Sequence, residues 1–133
     1  MALDISNTVR NAILDAIEST ISTSAILKIR TGAAPGIGSA DSGTVLAIIN
    51  LPSDWMAAAS AGSKAKSGTW QDASADATGT AAHFRLYASD GTTQHIEGTV
   101  TATGGGGDLT LDSVSITAGQ PVTISGFTLN AGN

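Results

Sequence analysis

The chain has 133 residues, with 6 Lys or Arg against 11 Asp or Glu and a formal net charge of −5. Only 13% of residues are charged, against a typical ~25%, and there is no cysteine, which excludes disulfide scaffolds, thiolate zinc sites and cysteine nucleophiles. No cation follows Arg85, while Asp90, Glu97, Asp108 and Asp112 do, a distribution that argues against a nucleic-acid partner, since phosphates must be neutralised by cations.

A chain of this length forms one domain and buries roughly two-thirds of its unfolded surface without a metal or a disulfide. No apolar run approaches the ~18 residues of a membrane span. Asp4 precedes Arg10, and no uninterrupted apolar region follows Met1. A secretory signal is therefore not expected. No cofactor is expected either.

In chain order, residues 4–22 predict the one helix, capped by Asp4 or Ser6. Ile5, Val9, Ile13, Leu14, Ala16, Ile17 and Ile21 make an apolar stripe, and Asn7, Arg10, Asn11, Asp15, Glu18 and Ser22 the opposite face. The stripe needs cover, either from the chain's own sheet or from a partner. Residues 1–23 are thus expected to be a helical docking element ahead of a β-domain at 24–133.

Past residue 24 the period becomes two, with Ala25, Leu27 and Ile29 on one face and Ile26, Lys28 and Arg30 on the other. Residues 32–43, GAAPGIGSADSG, predict a long loop. Residues 44–51 are apolar on both faces, which fits a central strand ended by Pro52. A short helical turn is expected at 54–59, a strand at 62–70 and a polar loop at 71–79.

Residues 80–103 give the clearest hairpin. Phe84 and Leu86 alternate with His83, Arg85 and Tyr87, and Asp90-Gly91 supplies a hairpin turn. The return strand puts Ile96 and Val100 on one face and His95, Glu97 and Thr99 on the other. Gly104 to Gly107 predict a turn. Leu109, Leu111, Val114 and Ile116 continue as strand, and Val122, Ile124, Phe127 and Leu129 form the last one, with a bulge expected at Gly126. Seven or eight short strands imply a mainly β fold. The expected architecture is an antiparallel β-sandwich, with a jelly roll as one form, plus one N-terminal amphipathic helix.

Chemistry-bearing residues are few. His83 and His95 are the only histidines, and their spacing with Glu97, Asp90 and Ser89 demands neither a catalytic triad nor a metal site. Asp72 and Asp76 lack the EF-hand pattern, and the glycine run lacks the Gly-Lys-Ser/Thr ending of a phosphate loop. Trp55, Trp70 and Tyr87 read as core or core-edge packing. Trp55 and Tyr87 are also candidate anchors in a contact surface. The other contact candidates are Val9, Ile13, Ile17 and Ile21 on the helix, and Pro35 and Ile37 in the long loop.

The segment Thr78–Thr92, TGTAAHFRLYASDGT, resembles a recurrent block in small β-rich virion accessory proteins of tailed bacteriophages. So do Gly98-Thr99-Val100 with its glycine-rich turn, Asp108–Asp112, and Ala118-Gly119-Gln120 ahead of a Val-Thr-Ile strand. The resemblance covers roughly residues 24–131. It implies a structural, non-enzymatic protein located in the virion and made in the bacterial cytoplasm. A capsid decoration (cement) protein is the leading expectation, bound to the major capsid protein as a homo-oligomer, a trimer being one form. The alternative is a neck, tail or fibre-associated module that binds a receptor or glycan.

Overall fold

The computed structural model describes residues 3–132. Residues 1, 2 and 133, at the outer limits of the two expected segments, lie outside the described residues. The protein is mainly β with one helix. Helix α1 spans Asn7–Ile21, and the strands are β1 (Ile26–Arg30), β2 (Val45–Asn50), β3 (Ser63–Ala65), β4 (Gln71–Asp72), β5 (Gly79–Thr80), β6 (His83–Tyr87), β7 (Gln94–Ala102), β8 (Leu109–Leu111), β9 (Ser115–Ile116) and β10 (Val122–Asn130).

Eight strands share one sheet in the order β2-β1-β6-β7-β8-β10-β3, with β4 also paired to β10. β5 and β9 form a separate two-stranded sheet. The sheet is strongly curled. β6 and β10 stand three strand spacings apart along it, ~14 Å in a flat sheet. Yet the rings of Phe84 on β6 and Phe127 on β10 meet edge to face with centroids 5.7 Å apart.

The curl also brings the two ends of the sheet together. Asp72, on β4, accepts a hydrogen bond from the Ile48 N–H of β2 at 2.9 Å, and the Asp76 N–H donates to the Leu46 carbonyl at 2.8 Å. The strands therefore wrap into a nearly closed ring instead of two stacked sheets. Its interior holds Leu27, Ile29, Leu46, Ile49, Trp55, Trp70, Phe84, Leu86, Leu109, Ile124 and Phe127. Trp70 bridges Trp55 and Phe127, with centroids at 6.1 and 5.3 Å.

The expectation of a wholly antiparallel arrangement fails at one pair. β7 and β8 run parallel, Val100 opposite Leu109 and Ala102 opposite Leu111. Parallel neighbours ordinarily need a crossover of a dozen or more residues. Here the glycine run does it in six, residues 103–108. Gly104 and Gly106 have φ of +89° and +81°, and a Cβ on Gly105 or Gly107 would lie 2.8 Å from the Thr101 side chain. The Gly107 N–H donates to Thr101 Oγ1 at 2.9 Å.

Two other expectations are revised. Residues 54–59 form no helix. Met56 bridges Lys66 and Ser60 bridges Ser63, so the alanine-rich stretch is an extended arm that folds back at Ala61-Gly62. The expected strand at 62–70 shortens to β3, and β4 starts inside the expected loop at 71–79. The bulge near Gly126 is present, as a register shift between Ile124 and Gly126.

Helix α1 begins at Ser6, whose hydroxyl accepts from the Val9 N–H at 3.3 Å, so Ser6 and not Asp4 is the cap. Polar side chains fix it to β3 and the end of β10. Lys64 Nζ lies 2.8 Å from both Asp15 and Glu18, Asn11 accepts from the Gly62 N–H, and Arg10 Nε donates to the Ala131 carbonyl. This anchoring turns Leu14 and Ile21 inward and leaves part of the apolar stripe outside.

Phe127 sits where the curled faces meet. Truncation to alanine removes the edge-to-face contact with Phe84 and opens a cavity beside Trp70. Phe127→Ala should lower unfolding stability by about 3–5 kcal/mol, read as a reduced midpoint in urea denaturation.

Candidate functional site

Two surfaces contain the residues singled out in the sequence. The first is the outer face of β1, β6 and β7. Alternation puts Lys28 and Arg30, then His83, Arg85 and Tyr87, then Glu97, on this face, and register places Arg85 opposite both Lys28 and Glu97. Such a face is expected to be solvated. Instead His83, Arg85 and Tyr87 are fully buried and Arg30 nearly so. Residues 32–43 lie over them as a strap.

A buried guanidinium demands partners, because an unpaired charge out of water costs several kcal/mol. Each of the three guanidinium nitrogens of Arg85 has a partner. Its Nε lies 2.5 Å from Glu97 Oε2 and its Nη1 2.5 Å from Asp41 Oδ1. It also donates to the strap carbonyls of Ser39 and Gly36, at 3.1 and 2.8 Å. Arg30 Nη2 reaches the other oxygen of Asp41 at 2.8 Å, and the Tyr87 hydroxyl donates to Asp41 at 2.8 Å. Glu97 accepts from the Gly36 N–H at 2.7 Å, and Gln94 both donates to Ser39 and accepts from Gly38. His83 Nδ1 donates to the Gly32 carbonyl at 2.7 Å, which pins the start of the strap.

Two arginines meet two carboxylates here, so the cluster is electrically balanced. Burial alone would raise the Asp41 carboxyl. Hydrogen bonds from Tyr87 and Arg85, and the charges of Arg30 and Arg85, outweigh it and hold Asp41 below the ordinary carboxylate value. Burial would lower Arg85, and its bonds to Glu97 and Asp41 reverse that and raise it. Tyr87 is pushed up, first by burial and then by its bond to the Asp41 carboxylate. The Tyr87 ring also carries Lys28 Nζ at 4.7 Å from its centroid.

The structure does not bring the histidines together. His83 stands opposite Thr99, which is four residues, or ~13 Å, along β7 from His95. His95 lies instead beside α1. Among the described residues no group of three or more His, Asp or Glu side chains could hold a metal ion. No helix of the described residues is long and apolar enough to cross a membrane.

The second surface is the outward part of α1. Val9 and Ile13 are 49% and 45% exposed. Ile13, Ala16, Ile17 and Ile21 line an open apolar groove whose other wall is His95 and Ile96 of β7. The contact candidates therefore separate. Val9 and Ile13 are presented, Ile17 is half-buried, and Ile21 is buried in the core. Ile37, at the strap's crest, is 53% exposed and Pro35 is half-buried. Trp55 and Tyr87 are corrections: both are fully buried, so neither can anchor a partner. Trp55 fills the core and donates from Nε1 to the Ser22 carbonyl, and Tyr87 is consumed by the strap cluster.

Arg30 and Asp41 did not stand out in the sequence. The available signal was three cations on the polar faces of two strands, Lys28 and Arg30 on one and Arg85 on the other, beside a loop whose one acid is Asp41. Comparison with family models, curated proteins and solved structures gives no match to this chain.

Arg85→Met should cost about 3–5 kcal/mol of stability, because Asp41 and Glu97 lose their buried partner. Chemical denaturation of the variant checks this. Since Asp41 is held below its unfolded value of ~3.9, its contribution is present above that pH and is lost as pH falls through the lower folded value. Asp41→Asn should therefore flatten the acid limb of the stability curve below about pH 4, measured by thermal melts from pH 7 to pH 2.

Proposed function

We infer that this chain is a structural protein of a tailed-phage virion, acting as a capsid decoration protein that clamps neighbouring shell subunits. The carrying observation is the exposed apolar edge of α1. Val9 and Ile13 stand outside on a helix whose other face is ion-paired to the domain. An apolar stripe held rigidly in water is a contact surface awaiting cover. The resemblance of residues 24–131 to virion accessory proteins supplies the context. The strap cluster supports the same reading, since it holds Ile37 in a fixed position on the outside of the domain. The partner is the major capsid protein, and the decorating unit is a homo-oligomer.

The alternative receptor- or glycan-binding module has less to build on. It called on Trp55, Tyr87 and the long loops. All five aromatic side chains of the chain are buried, and sugar platforms are built from exposed rings.

Particles assembled without this protein should lose infectivity faster on heating or in low salt, and adding the purified protein should restore them. Val9→Asp/Ile13→Asp protein, checked for an unchanged melting temperature, should fail to bind those particles in co-sedimentation. Particles equally resistant with and without the protein would refute the cement role.

A further inference from the structure

β7 and β10 are nine residues long, but β8 between them has only three. β8 pairs with Val100–Ala102 of β7 and with Ile124–Phe127 of β10. Beyond Leu109 the chain leaves the sheet through the glycine loop. The row that β8 would have continued is therefore vacant, flanked by Gln94–Glu97 on one side and Thr128–Asn130 on the other.

The backbone groups facing this slot follow from strand alternation. The Val100 N–H bonds β6 through Ala82, so Gly98 faces β6 as well, and Thr99 and Glu97 face the slot. The Thr99 N–H confirms it by donating across to Asp108 at 2.8 Å. On β10, the Phe127 carbonyl and Ala131 N–H bond toward β3, at Lys66 and Gly62, so Thr128 and Asn130 face the slot. The pairing of β7 over Gln94–Thr99 is with β6, and that of β10 over Thr128–Asn130 is with β3. The floor between the two edges is apolar, made by Phe84, Ile96, Phe127 and Leu129.

We propose that this slot takes an extended segment of another polypeptide, which adds as a strand between β7 and β10. The backbone groups of Glu97 on one side and of Thr128 and Asn130 on the other stand in the row that β8 would have continued, and extended backbone is what pairs with such groups. Side chains of the incoming strand alternate, one set lying on the apolar floor. Asp108 closes the β8 end of the slot. Its Oδ2 accepts from the Thr99 N–H and hydroxyl, and among the described residues it has no ion pair. An unpaired carboxylate there selects a segment with a Lys or Arg at that end, and discourages a second copy of this acidic chain. The slot does not depend on the capsid reading. Particle stability tests that reading, and peptide binding tests this one.

The test uses the full-length protein and a capped seven-residue peptide of alternating valine and threonine with a lysine at each end. Amide exchange at Glu97, Thr128 and Asn130 should slow at least ~10-fold, as for newly paired strand amides, while amides of α1 stay unchanged. An analogue N-methylated at alternate residues should not bind, and one with terminal glutamates should bind several-fold more weakly. Asp108→Asn, which keeps an acceptor for Thr99, should abolish the lysine-over-glutamate preference but not binding. Unchanged exchange at those three amides with millimolar peptide, equal binding of the N-methylated analogue, or protection confined to Val9 and Ile13 would overturn the proposal.

Discussion

The arrangement of the outer surface depends on Arg85. Its side chain is fully buried on a strand face that sequence alternation points away from the core. A charge in that position is tolerable only if the group finds hydrogen-bond acceptors and the countercharge is close. Glu97 is supplied by the neighbouring strand, but Asp41 and the Gly36 and Ser39 carbonyls come from residues 32–43. The long segment between β1 and β2 is thereby drawn down onto the sheet. It has no strand pairing or helix of its own, yet it becomes a fixed part of the surface.

The same logic of forced cover explains the rest. The curled sheet meets its own other edge through Asp72 and Asp76, and its interior is filled by Trp55, Trp70, Phe84 and Phe127, with Ile116 of the small β5–β9 sheet added to the same core. The helix is held by Lys64 and Arg10 at an angle that inserts Leu14 and Ile21 and leaves Val9 and Ile13 in water. Polar anchoring thus decides which part of a continuous apolar stripe is core and which part stays exposed.

Much of this was readable from residue order. Alternation placed Phe84 and Leu86 inside and Arg85 and Glu97 outside, Asp90-Gly91 marked the hairpin, and Ser6 was a candidate cap. What could not be read was cover. Period two says which face a side chain takes, but not whether another segment lies over it. Alternation therefore leaves Tyr87 open to either reading, core-edge packing or contact anchor, and the strap decides it by burying the ring. The parallel β7–β8 pair was hidden for a different reason. Gly104 to Gly107 suit any tight reversal, and only the close approach of Gly105 and Gly107 to Thr101 shows that the chain doubles back to run beside β7 in the same direction. The arm at 54–59 misled because alanine suits helix and extended chain alike, and the bridge from Met56 to Lys66 decided between them.

The position of β10 in the ring has a consequence for how the chain reaches this state. One strand pairs with β8 on one side and with both β3 and β4 on the other, joining Thr128 to Ala65 and Val122 to Asp72. β3 and β4 lie far from β10 in sequence, so the entropy of closing those loops weighs against their early pairing. During synthesis β3 and β4 emerge before β10, and the Phe127 ring that packs on Phe84 and Trp70 is made only with it. The hairpin of β6 and β7 can form locally well before that. Until β10 is made, one wall of the ring is missing and the apolar inner face of the other strands lacks that cover, the condition under which crowding by other copies is most hazardous.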